Sequence, residues 1–166
     1  MWLAASGQRL AVLGLLLSAA IGASVDRGLT EERGSAPGRG SDRIQEIAGA
    51  AQDYARNCQG CHGADGAGIP NAVPRLRDFI GYFAHLPEGR AYLIRVPGVA
   101  QAPLDDARLA AVLNWTLIAY SRDQLPPGFQ PFTADEVGGL RADVLIAVTQ
   151  ERARLISRLE QAGILK

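Results

Sequence analysis

Methionine, cysteine and histidine are nearly missing from this chain. Among 166 residues there is one Met, at position 1, with two Cys and two His. Once the N-terminus is discounted, no thioether sulfur is on hand as a metal ligand. Two Cys and two His would just make up the four ligands of a structural zinc site. His62 directly follows Cys61, however, and that adjacency suits another chemistry better. Aromatic residues are sparse at 6%, so the protein core has few large plates to pack around. Charge of one sign is lacking too. The 17 basic and 17 acidic residues cancel and are well mixed, so no basic stripe argues for nucleic acid. No segment alternates apolar and polar residues at period two for long, which argues against sheets. A C-x-x-C redox pair would normally sit near a βαβ pattern, and no such pattern is found.

What is present is Cys58-Gln59-Gly60-Cys61-His62. C-x-x-C-H is the attachment pattern of a c-type haem. The two thiols can add across the porphyrin vinyl groups, and the adjoining His62 is then held under the iron as its proximal ligand. The expectation is one covalent haem c on Cys58, Cys61 and His62. The haem would also supply the apolar plate that the thin aromatic content withholds.

The chain divides into four stretches. Residues 1–25 carry one basic side chain, Arg9, and then sixteen uncharged positions, Leu10 to Val25. That run is short of the roughly 20 residues a bilayer span needs. With small residues from Ala19 to Ser24 it has the shape of a secretory leader, or of a retained N-terminal anchor. Residues 26–42 are polar and Gly-rich, a flexible linker. Residues 43–120 hold the haem motif, and 121–166 form a C-terminal helical extension. The reading throughout is all-α. A first helix starts near Ser41 or Asp42, with Ile44, Ile47, Ala51, Tyr54, Ala55 and Cys58 on one face. Residues 63–76 are loop, rich in Gly and Pro. Short helices are expected at Leu76–His85 and Glu88–Val96. A stronger one opens at Leu104-Asp105-Asp106, where the acids mark a helix start, and runs to about Tyr120. Thr133-Ala-Asp-Glu136 is a capping box for Ala134–Leu140. An amphipathic helix at about Ala142–Ala162 ends the chain.

From Asp42 to Tyr120 the chain resembles the class I cytochrome c domain. The resemblance rests on Tyr54-Ala55-Arg56-Asn57-Cys58, on Cys58 to Gly63, on Val73-Pro74-Arg75-Leu76, and on a closing helix from Leu104 to Trp115. It covers roughly half of the chain. It implies that the first and last helices of the domain cross beside the haem, with Ala50, Tyr54 and Trp115 at the crossing. It also implies that the Pro74 carbonyl accepts the Nδ1–H of His62. That bond fixes the tautomer so that Nε2 faces iron.

The departure from the family is the sixth iron ligand. The loop that usually carries a Met is short here, Pro97 to Pro103, and holds none. Four readings stand open: ligation by His85; an iron open to water or a small molecule; a weak ligand such as Gln101; and His85 as an ordinary loop histidine. Imidazole is the best remaining donor. Arg75, Arg77, Arg90 and Arg95 are candidates to pair with the haem propionates, and Trp115 reads as core packing. The function this resemblance implies is an exported single-haem electron carrier, not itself an enzyme. It would work between periplasmic redox partners such as a dehydrogenase and another cytochrome or an oxidase. It would touch a membrane only if the N-terminal segment is retained. The rivals are a haem protein that binds a small gas molecule at an open distal site, and a dedicated haem subunit docked through residues 121–166.

Overall fold

The computed structural model describes residues 39–166, so the expected leader and most of the expected linker lie outside the described residues. Seven helices follow: α1 (Arg39–Asn57), α2 (Gln59–His62), α3 (Pro87–Arg95), α4 (Pro97–Ala100), α5 (Asp106–Ser121), α6 (Ala134–Arg141) and α7 (Val148–Gln161). Two 3-10 turns, Ile80–His85 and Arg122–Gln124, complete the set. Among the described residues there is no strand, only one isolated bridge between Ile69 and Val73. The fold is all-α.

Two helix starts, those of α5 and α6, follow their capping residues. Asp105 accepts a hydrogen bond from the Arg108 amide at 2.8 Å and opens α5. Thr133 does the same for Glu136 at 3.2 Å and opens α6. Each side-chain oxygen satisfies an amide that the first turn leaves without an intrahelical partner. α1 begins at Arg39, inside the expected linker. Its apolar stripe does not all reach the core. Burial starts at Ala50, while Ile44 and Ile47 stay 69% and 52% exposed.

Two expected helices are shortened by contacts from far along the chain. At Leu76–His85 the turn begins only at Ile80. Asp78 sits in the left-handed region (φ 55°), and its amide donates to the Tyr120 carbonyl at 2.8 Å. The last helix begins at Val148, not at Ala142. The Leu145 amide donates to the Arg95 carbonyl at 2.9 Å, and Arg95 Nε donates to the Asp143 carbonyl at 2.8 Å. Residues 143–145 are thereby tied to the end of α3 and cannot wind into α7. Conversely, Pro97–Ala100 folds as a helical turn where only a loop is expected.

One core runs through the body. Tyr54 of α1, Ile94 of α3 and Leu117 of α5 share it with Val137 of α6 and with Leu155 and Leu159 of α7. Burying each of these large side chains contributes roughly 1.5–3 kcal/mol. The segment after residue 121 is therefore packed into the same core as the haem-motif region. Asn114 pins the intervening connector. Its side-chain oxygen accepts the Phe132 amide at 2.7 Å, and its amide donates to the Phe132 carbonyl at 3.0 Å.

Candidate functional site

α1 and α5 cross at an aromatic cluster. The Tyr54 ring lies 5.1 Å from Trp115 and 5.3 Å from Tyr120 between centroids, and Trp115 meets Tyr120 edge-on at 5.5 Å. Ala50 is buried on the same helix. Beside the cluster, Asp53 is 6% exposed at its side chain and takes a bidentate pair from Arg108, at 2.6 and 3.0 Å. The crossing fixes the end of α1, and Cys58 follows directly on it.

The loop after the motif is shaped by backbone bonds. The Gly68 amide donates to the His62 carbonyl at 2.9 Å, and the Gly66 carbonyl accepts from Leu76 at 2.8 Å and from Arg77 at 3.0 Å. Tyr54 Oη donates to the Gly63 carbonyl at 2.7 Å, and Tyr120 Oη to the Ala64 carbonyl at 2.9 Å. Gly68 has φ +72°, and a Cβ there would stand 2.4 Å from the Val73 oxygen and 2.8 Å from the Pro74 carbonyl oxygen. Only glycine lets the chain pass so close to Pro74. The result places the Pro74 carbonyl 3.1 Å from His62 Nδ1. A carbonyl only accepts, so Nδ1 carries the proton and Nε2 keeps its lone pair.

Cys58, Cys61 and His62 line a single cavity of about 350 Å³. Its walls are largely aliphatic and aromatic. Ile80 and Phe83 come from the 3-10 turn, Tyr92 and Leu93 from α3, and Leu109 and Leu113 from α5. Val148 and Arg152 reach it from α7. Burial holds the His62 imidazole below its ordinary range, while the Pro74 bond pushes the other way. The net effect favours the neutral ring, which is the ligating form. Burial also pushes the Cys58 thiol up, and the nearby Asp53 carboxylate adds to it. Among the described residues no three His, Cys, Asp or Glu side chains converge as a bare-metal site.

His85 lies elsewhere. It does not line the cavity, and its Nε2 sits 3.0 Å from the Gln124 carbonyl. Gln101 is exposed and is also absent from the lining. The wall at residues 96–104 is instead held by Arg141, whose guanidinium donates to the carbonyls of Ala100, Ala102 and Leu104 at 2.8–3.1 Å and to Asp106 at 2.9 Å.

Of the four candidate arginines, three are engaged. Arg77 pairs with Asp65, Arg90 with Glu136 and Arg95 with Asp143. Arg75 lines the cavity, its guanidinium 5.4 Å from the Phe79 ring centre. Arg152, which nothing in the sequence pattern singled out, lies over the same ring at 5.1 Å. Among the described residues neither is paired with a carboxylate. Two cations at one ring beside a cavity form a receptive place for an anion.

No family model matches the chain. Two curated proteins named cytochrome c-552, both from Thermus thermophilus, are each 38% identical to it over 128 residues. The aligned region covers 65% of this chain, and 97% of one relative and 86% of the other.

Proposed function

Because this chain belongs to the c-type cytochromes, we propose that it is an exported electron carrier with one haem c. The observation that carries the reading is the meeting of Cys58, Cys61 and His62 on one largely apolar cavity, with His62 Nδ1 held by Pro74. The donor set fits the group. Cys58 and Cys61 would hold the porphyrin through two thioether links, each thiol S–H added across one vinyl double bond. His62, with its lone pair on Nε2, would serve as the iron ligand. Bound there, the haem supplies a one-electron iron couple. The protein's part is to hold and shield it. Arg75 and Arg152 would pair with the propionates, as guanidinium groups match carboxylates well. The aliphatic residues that α3 and α5 bring to the cavity would shield the group from water.

Export follows from the leader-like residues 1–25. Among the described residues no helix is long and apolar enough to cross a membrane. The partners in this reading are periplasmic redox proteins: a dehydrogenase as donor, another cytochrome or an oxidase as acceptor. The test is replacement of both thiols. Cys58→Ala with Cys61→Ala leaves no haem bound to the polypeptide after acid-acetone extraction. Covalent haem in that variant would overturn the assignment.

A further inference from the structure

Among the described residues, few side chains offer iron a sixth ligand. The chain's only histidines are His62 and His85, its only methionine is Met1 and its only lysine is Lys166. Neither His85 nor Lys166 lines the cavity, and Met1 lies outside the described residues. The oxygen and amide groups that do line it, on Tyr54, Asn57, Tyr92 and Thr116, are engaged or, like the neutral Thr116 hydroxyl, poor iron ligands. Tyr54 Oη is spent on the Gly63 carbonyl, and the Asn57 amide on the Asp53 carbonyl. Tyr92 is buried, and its burial keeps the phenol protonated. The segment where a sulfur ligand would be expected presents Val96, Val99, Ala102 and Leu104 to the cavity. Arg141 locks that segment by three carbonyl bonds, so it is not a loop waiting to swing a donor inward.

We propose that the haem keeps one coordination position open, and that this pocket admits an uncharged diatomic ligand, carbon monoxide or nitric oxide, on the side away from His62. The inference rests on the haem reading above. The ligand class follows from the walls. Where a sulfur ligand would be expected, Val96, Val99, Ala102 and Leu104 give no side-chain hydrogen bond to steady an anion or a strongly polarised ligand. A neutral diatomic that coordinates without such a bond loses nothing there.

The experiment uses the purified, exported holoprotein, reduced under anaerobic conditions and titrated with carbon monoxide while its absorption spectrum is followed. The expected result is a high-spin ferrous spectrum that shifts on mixing, with one carbon monoxide per haem. His85→Ala and His85→Gln bind it at the same rate as the parent. A low-spin ferrous spectrum indifferent to carbon monoxide would overturn the proposal. So would a rate that rises tenfold or more in the His85 variants or in Lys166→Gln, since a side chain of the protein would then be the ligand displaced. Absence of covalent haem in the parent protein is a different failure, seen in the acid-acetone pellet before any gas is added, and it would overturn the haem reading and this inference together.

Discussion

The two histidines occupy regions built from the same materials with opposite outcomes. Each has one ring nitrogen beside a backbone carbonyl, Pro74 for His62 at 3.1 Å and Gln124 for His85 at 3.0 Å. Each carbonyl is held by a glycine-dependent approach. Gly68 lies against Val73 and Pro74, while Gly81 lies against Ser121 and Gln124. What differs is the nitrogen engaged and the surroundings of the other. His62 is bound through Nδ1, and its ring borders an apolar cavity shared with two thiols. His85 is bound through Nε2 at the end of a 3-10 turn and fastens that turn to the next one. A free imidazole is thus no better than its address. One region turns a histidine into a candidate ligand, and the other uses it as a fastener.

The sharpest way to break this comparison is to remove His62. In His62→Ala the imidazole signature of the haem disappears from the magnetic circular dichroism and electron paramagnetic resonance spectra, whereas His85→Ala leaves both unchanged. Equal effects of the two substitutions would dissolve the distinction. The next largest effect concerns what holds the His62 region in place. Arg108→Ala strands the buried Asp53 carboxylate and lowers the midpoint of denaturant unfolding. Asp53→Asn costs less, because Arg108 is 52% exposed and hydrates once released. A larger loss from Asp53→Asn than from Arg108→Ala would reverse the reading.

How much of this was legible in the sequence follows the distance over which each feature is decided. Cys58, Cys61 and His62 are three residue types at fixed offsets, and the caps at Asp105 and Thr133 act within one turn, so residue order was enough for them. The arginines were not legible, because acids far along the chain decide their fate. Arg90 finds Glu136, and Arg95 finds Asp143. Arg152 reaches the cavity from a helix that periodicity marks only as amphipathic. The start of α7 was missed for the same reason, since the ties from Arg95 to residues 143 and 145 carry no local signal. The lining at 96–104 was visible as a segment without methionine, but not the Arg141 bonds that fix it.

The paired glycines test the regions at finer scale. Gly68→Ala meets the Val73 and Pro74 carbonyls and forces a side chain into a left-handed backbone. It costs about 1–2 kcal/mol for the conformation and about 1–3 kcal/mol for the overlap, and it disturbs the haem spectrum through Pro74 and His62. Gly81→Ala meets the Ser121 oxygens at 2.6 and 2.9 Å without that backbone penalty. It costs about 1–3 kcal/mol and leaves the spectrum alone. Thermal unfolding and absorption spectra of the two variants check both statements.

The smallest effect is the most discriminating. His85→Ala removes one hydrogen bond to the Gln124 carbonyl, worth about 1 kcal/mol. Gln124 is only half-buried, so water can take over its carbonyl, and the loss should not exceed that figure. A fastener predicts a lowered unfolding midpoint with an unaltered haem spectrum. A ligand predicts the reverse weighting, a changed spectrum at little cost in stability. The two measurements together assign His85 to one region or the other, because no single role moves them in the same proportion.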